Sequence, residues 1–173
     1  RTLPVSGKFS PAQRALYMLV YEAQLAGFAA VKPGAIFTDV NKACQEVLAK
    51  GLADMGVLTV SAEESMKPEV GLHRRWTLHG VSHHLGLDVH DCAKARKENY
   101  TDAPLREGMI ITVEPGLYIQ PDDELFTPEY RGIGIRIEDD VVVTADGCRN
   151  LSERNPRHPD AVEDWIKTLQ QAR

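Results

Sequence analysis

The chain has 173 residues, of which 43% are hydrophobic and 26% are charged. Such a chain is long enough and apolar enough to bury the core of one folded domain, which excludes an intrinsically disordered protein. The 25 acidic and 20 basic residues give a formal net charge of -5, and the basic runs at 73–75 and 94–97 are short. We interpret these runs as solvated surface, because a nucleic-acid partner favours a continuous basic patch.

The three cysteines, Cys44, Cys92 and Cys148, lie far apart in the sequence. Their number and spacing match neither a metal-binding C-x-x-C pair nor a disulfide framework, which favours a reducing compartment. The sequence lacks the run of roughly 18 apolar residues that a membrane span needs, and its first five residues do not resemble a signal peptide. We therefore expect a soluble, cytoplasmic protein with no membrane partner.

The first predicted helix starts at Pro11, with Ser10 as its N-cap, and stops near Pro33. Its predicted buried face comprises Leu16, Val20, Ala23 and Leu25.

A second helix is predicted from Thr38 to just before Gly56. Its apolar stripe comprises Val40, Cys44, Val47, Leu48 and Leu52. Residues 61–70 favour a shorter helix, although Pro68 interrupts it. A last helix follows Pro159, where the apolar residues again recur at helical spacing.

The middle of the chain has the pattern of short β-strands. Apolar, β-branched runs occur at 109–113, 116–119, 133–137 and 141–144, and glycine or proline separates them. Runs so closely spaced predict an antiparallel sheet. Together with the helices, they indicate the α+β class.

Five of the six histidines fall between positions 73 and 90. A single histidine taken alone is readily explained as a surface residue or a hydrogen-bonded core residue. Here, however, the segment 79–91 places several histidines and aspartates among glycines. The clustering points to a functional site once carboxylates are added to it.

Two glutamates stand at the ends of predicted strands. Glu114 immediately precedes Pro115, and Glu138 shares a strand face with Arg136 because side chains alternate along a strand. A carboxylate beside an arginine is also explained by a structural ion pair. With His83, the two glutamates form an oxygen-rich set suited to Mn²⁺, Co²⁺ or Zn²⁺. Their spacing alone does not establish that the three side chains meet.

Three blocks in order, at 79–91, 112–118 and 132–140, resemble metallopeptidase family M24, and most closely its Xaa-Pro aminopeptidases (aminopeptidase P). The opening segment 3–9 is similar to the one that follows the second aspartate ligand in these enzymes, so the resemblance covers essentially the whole chain. It implies the pita-bread fold, a curved antiparallel sheet with outer helices. We expect residues 1–173 to be the C-terminal portion of a single catalytic domain whose N-terminal part is missing.

The resemblance also implies a site for two divalent cations. It assigns His83, Glu114 and Glu138 as metal ligands, with Glu138 bridging, and it places two aspartate ligands upstream of Thr2. Mn²⁺ is the expected metal, with Co²⁺ or Zn²⁺ as alternatives. A water that bridges the two cations would attack the scissile carbonyl. Without the aspartates, we expect the chain alone to bind metal weakly and to be inactive.

Further residues receive roles from the same resemblance. His79, His90 and Glu114 are implied as catalytic, the histidines through contacts with substrate or the tetrahedral intermediate and Glu114 through proton transfer. Tyr118 and Arg136 are implied as substrate-pocket residues or supports of the ligands. The implied reaction releases the N-terminal residue from peptides with proline at the second position. The parent protein is expected to be a homo-oligomer.

Two other interpretations stay open. Prolidase, which cleaves only Xaa-Pro dipeptides, shares these motifs, although the amino-acid sequence of residues 131–138 favours the aminopeptidase. The second is a noncatalytic pita-bread module used for binding, as occurs in some relatives of these peptidases. Such modules usually lose metal ligands, whereas His83, Glu114 and Glu138 are all present.

Overall fold

The computed structural model describes residues 1–172, which combine helices with short antiparallel strands and so confirm the α+β class. The helices are α1 (Pro11–Ala30), α2 (Phe37–Asp54), α3 (Ala62–Ser65) and α4 (Pro159–Gln171). The strands are β1 (Ile110–Val113), β2 (Gly116–Tyr118), β3 (Gly134–Arg136), β4 (Asp139–Val143) and β5 (Cys148–Asn150). Short 3₁₀ turns occur at Leu72–Arg75, Lys97–Asn99 and Pro128–Tyr130.

Helix α1 begins where the sequence predicted. The Ser10 hydroxyl accepts from the backbone N–H of Gln13 (3.2 Å), and the Gln13 side chain accepts from the Ser10 N–H (2.9 Å). This reciprocal capping satisfies two N–H groups that a helix start leaves unpaired. The predicted buried face was wrong at one position. Leu25 is 41% exposed, while Gln24 beside it is fully buried, because the stripe at 16, 20, 23 and 27 turns Leu25 outward.

Helix α2 packs closely against α1, and its predicted stripe is confirmed except that Val47 is only partly buried. Gly27 permits the approach. A Cβ atom there would lie 2.6 Å from the Cys44 sulfur and 2.7 Å from a Val113 methyl carbon. No larger residue fits, so α1 is held against both α2 and β1.

The strands form two antiparallel ladders that share one connection. Strand β1 pairs with β4, which also pairs with β5, and β2 pairs with β3. Because β1 continues into β2 while β3 continues into β4, the two ladders meet end to end. Their meeting point, the strand junction, consists of residues 114–115 on one side and 137–138 on the other.

The core lies between helices α1 and α2 and the face of the strands that packs against them, where Leu16, Leu48, Ile111 and Ile135 are almost completely buried. Within residues 1–172, no helix combines the length and the apolar character required to cross a bilayer.

Candidate metal centre

Both glutamates lie in the strand junction rather than inside a strand. Strand β1 ends at Val113 and β3 at Arg136, so Glu114 and Glu138 occupy the gaps before the next strands begin. Glu114 is 7% exposed, and Glu138 is partly exposed. Because the ladders on either side are antiparallel, their register brings the two gaps opposite one another.

His83 reaches the junction from an irregular segment that runs beside β1. The Thr112 N–H donates to the His83 carbonyl (2.9 Å), and the Glu114 N–H donates to the Val81 carbonyl (2.8 Å). The His83 N–H in turn donates to the Thr112 hydroxyl (3.0 Å). These bonds fix His83 directly alongside Glu114.

The three side chains meet at one point. One ligand atom from each of His83, Glu114 and Glu138 lies within 4.8 Å of the others. Nδ1 of His83 donates to the His84 carbonyl oxygen (3.0 Å), which leaves Nε2 facing Oε1 of Glu114 at 3.2 Å. In the neutral ring, Nε2 has a lone pair that faces the Glu114 oxygen. A cation bound between these two acceptors would stabilise the arrangement.

The electrostatics of Glu138 also favour a cation. Burial raises the pKa of Glu138, and the neighbouring Glu114 carboxylate raises it further, although Arg136 and His83 oppose this. The ionised form of Glu138 is therefore disfavoured in the metal-free protein. One imidazole and two carboxylates suit a hard or borderline divalent ion, so the donor set fits the metal that the resemblance implies.

Two neighbours orient the Glu114 carboxylate. The Thr112 hydroxyl lies 3.2 Å from Oε1, and Nη1 of Arg136 lies 3.5 Å from Oε2. Thr112 is 1% exposed and was not predicted from the sequence, although alternation along β1 places it on the same side as Glu114. The Arg136 contact is long and half exposed, so an ion pair alone contributes little stability.

His79 and Tyr118 form a pair of their own. Nδ1 of His79 lies 2.8 Å from the Gly80 carbonyl oxygen, so Nε2 accepts from the Tyr118 hydroxyl at 2.7 Å. Burial raises the pKa of Tyr118, which keeps this hydroxyl a donor. Gly116 makes room for it, since a Cβ there would lie 2.7 Å from the hydroxyl oxygen.

His90 belongs to the exposed part of the site. Its ring packs edge-on against His83, with the ring centroids 4.5 Å apart. The surrounding residues 86–90 are exposed. Every site residue predicted from the sequence except His90 is thus held by hydrogen bonds or ion pairs to its neighbours, or belongs to the metal-binding trio.

The model of metallopeptidase family M24 matches residues 1–145. The chain belongs to this family.

Individual M24 relatives agree with this assignment. The chain is 56% identical over 169 residues to Xaa-Pro aminopeptidase 1 of Streptomyces coelicolor, covering 98% of the chain and 34% of the relative. It is 40% identical over 163 residues to Xaa-Pro aminopeptidase of Escherichia coli, covering 94% of the chain and 36% of the relative. The chain therefore spans about a third of the length of these curated relatives.

Solved M24 structures confirm the predicted pita-bread fold. The aminopeptidase PepP of Pseudomonas aeruginosa superposes with a TM-score of 0.91 at 37% identity, over 99% of this chain and 38% of that one. Aminopeptidase P of Escherichia coli, solved with the inhibitor Pro-Leu, gives a TM-score of 0.90 at 38% identity over the same shares.

Proposed function

We propose that the full natural protein is an Xaa-Pro aminopeptidase that hydrolyses the bond between an N-terminal residue and a following proline. The observation that carries the proposal is the convergence of His83, Glu114 and Glu138 within 4.8 Å. It occurs in an M24 chain whose relatives bear the name Xaa-Pro aminopeptidase.

We further infer that the site takes two divalent cations, with Glu138 between them and Mn²⁺ as the expected ion. The trio contains no aspartate, whereas the resemblance implies two. The trio alone should therefore bind metal weakly, and the 173-residue chain by itself should hydrolyse Xaa-Pro peptides negligibly. The cytoplasmic location and the homo-oligomeric assembly stay predictions.

The protein side chains divide the remaining work. When bound, the cations supply Lewis-acid stabilisation of developing negative charge and acidify the attacking water. Glu114 belongs to the trio, and its Oε1 accepts a hydrogen bond from the Thr112 hydroxyl. Its carboxylate is suited to accept a proton and return it to the leaving nitrogen.

The histidines face the substrate in this proposal. The His79–Tyr118 pair offers an aromatic wall for the proline ring. His90 stands against the exposed side of His83, where it can donate a hydrogen bond to the tetrahedral intermediate.

A substrate panel tests the proposed function. The full natural protein, with and without Mn²⁺, is given tripeptides with proline second, the matching Xaa-Pro dipeptides, and tripeptides with alanine second. We expect metal-dependent release of the first residue from the proline tripeptides, and loss of that release after EDTA. Cleavage of dipeptides alone would indicate a prolidase. Binding of all peptides without hydrolysis would indicate a noncatalytic module.

A further inference from the structure

Gln24 is a fully buried polar residue on the face of α1 that packs against the strands. Its Nε2 lies 3.1 Å from the Val113 carbonyl oxygen, 3.2 Å from the Ile137 carbonyl oxygen and 3.0 Å from Oδ2 of Asp139. These three acceptors belong to the residues directly next to the two glutamates of the trio. One side chain therefore touches both halves of the strand junction.

A proline explains why a donor is needed there. The Ile137 N–H donates to the Pro115 carbonyl (3.4 Å), which continues the antiparallel pattern of β2 and β3 by one step. In a regular ladder the opposite residue would return an N–H to the Ile137 carbonyl. Pro115 has no N–H. The Gln24 amide supplies the missing donor from outside the sheet.

The other side of Glu138 is held by the same network. Asp139 is 1% exposed, and its Oδ2 accepts from Gln24 while its Oδ1 accepts from Arg1 at 2.5 Å. Arg1 also donates to the Glu138 carbonyl oxygen. The peptide groups before and after the Glu138 side chain are thus both fixed by hydrogen bonds.

Packing alone does not account for a glutamine at this position. Its Oε1 is buried and has no hydrogen-bond partner among the described residues. An apolar side chain of similar size would avoid the loss of hydration that this oxygen suffers. Nε2 has two N–H groups that it shares among these three acceptors, and those bonds are what the amide adds.

We propose that Gln24 is a positioning residue that sets the placement of Glu114 relative to Glu138, and so the affinity of the site for a divalent cation. This inference rests on the proposed function, because it takes the two glutamates as metal ligands. Gln24 itself lies behind the sheet and does not touch the ion. Its effect passes through the backbone of Val113 and Ile137.

The test compares Gln24→Met with Gln45→Met in the full natural protein. Gln45 is a matched control, since it is 6% exposed on α2 and its Oε1 also has no partner among the described residues. Mn²⁺ binding is measured by electron paramagnetic resonance, and folding by thermal unfolding. Gln24→Met is expected to raise the Kd for Mn²⁺ by about tenfold or more, as loss of an outer hydrogen-bond partner does. Gln45→Met should leave the Kd unchanged.

The outcomes separate the two claims. If Gln24→Met lowers the Tm but keeps the wild-type Kd, the residue is only structural and the inference is overturned. If the folded wild type does not bind Mn²⁺, the proposed function fails first.

A measurement on the wild type decides the matter if Gln24→Met does not fold. With Zn²⁺ as a diamagnetic probe, the side-chain amide signals of Gln24 should shift in an NMR titration, while those of Gln45 should not. Equal or absent shifts at both residues would contradict the inference.

Discussion

The strand junction and the exposed loop at residues 85–99, here the histidine loop, both contribute to the proposed site but are built differently. Glu114 in the junction is 7% exposed and is fixed by bonds from its own strand and its neighbours. In the histidine loop, Leu87 and Val89 are 105% and 70% exposed. The protein places His83, Glu114 and Glu138 on a packed frame and His90 on a surface loop, which is how precise and adaptable functions are commonly divided.

The histidine loop is held by the residues that flank it, His84 and Tyr100, and by one backbone hydrogen bond from Asp91 in its middle. The His84 ring stacks on Phe37 with the centroids 5.0 Å apart, and it meets Tyr100 edge-on at 4.9 Å. The Asp91 N–H donates to the His84 carbonyl (3.1 Å). Mutations should therefore act on metal affinity through the junction and act weakly through the loop.

The largest effect is expected from Glu138→Gln in the junction. The neutral amide is a poor metal ligand, so Mn²⁺ affinity should fall by more than about 100-fold, beyond the range for an outer partner. In metal-free protein the same change should not lower stability, because burial and Glu114 raise the pKa of Glu138 and disfavour its charged form. Titration calorimetry and thermal unfolding in EDTA measure the two effects. Glu153→Gln, at an exposed position, is the control.

Asp123→Ala should separate stability from metal binding. Asp123 is 2% exposed and accepts from Nε1 of Trp76 (2.7 Å) and Nε of Arg75 (3.0 Å). Its loss leaves a buried indole N–H unpaired, so denaturant unfolding should show a loss of about 3 kcal/mol. Mn²⁺ affinity should stay unchanged. Asp122→Ala, at an exposed neighbour, should leave both quantities unchanged.

The pH dependence of this contribution has a definite sign. Burial raises the pKa of Asp123, but the hydrogen bonds from Arg75, Trp76 and the Leu125 N–H outweigh it and leave the pKa below the ordinary 3.8. A carboxyl with a lowered pKa stabilises the fold above its unfolded pKa, and this stabilisation is lost as the pH falls through the folded value. The difference in stability between wild type and Asp123→Ala should therefore narrow as the pH falls below 3.8. A constant difference down to pH 2 would contradict this account.

Thr112→Val tests the hydroxyl that orients Glu114. Valine keeps the shape, but the Glu114 carboxylate and the His83 N–H each lose a partner. We expect about tenfold weaker Mn²⁺ binding and a loss of about 1 kcal/mol in the free energy of unfolding. Thr112→Ser keeps the hydroxyl and should restore the affinity. Equal Kd values for valine and threonine would show that the hydroxyl does not matter.

The smallest effect is expected in the histidine loop. Leu87→Ser replaces a fully exposed side chain, so the free energy of unfolding should change by less than about 0.5 kcal/mol. Mn²⁺ affinity should not change. A loss above about 1 kcal/mol in chemical denaturation would mean that the loop is packed, and the contrast with the junction would then disappear.

The local signals in the sequence predicted the fold well. Ser10 and Pro11 marked the start of α1 correctly, and four strands fell close to their predicted runs. Strand β5 was missed because Cys148–Asn150 carries no alternating β-branched pattern. Leu25 was misplaced because a leucine one position off the stripe looks equally apolar in the sequence.

The site depended on information that is not local. Glu114 and Glu138 were expected at strand ends, and the family resemblance named them as ligands. The pairing of β1 with β4 and of β2 with β3 brings the two glutamates together, and the hydrogen bonds between the His83 segment and β1 add His83 to them. Gln24 could not be predicted from its helix, because its acceptors lie 89, 113 and 115 residues away in the sequence.

A crystal structure of the full natural protein grown with Mn²⁺, with anomalous differences recorded near the manganese edge, would show whether His83, Glu114 and Glu138 bind a metal ion together. We expect an anomalous peak coordinated by Nε2 of His83 and by the carboxylates of Glu114 and Glu138. A peak that avoids these three side chains, or none at saturating Mn²⁺, would contradict it.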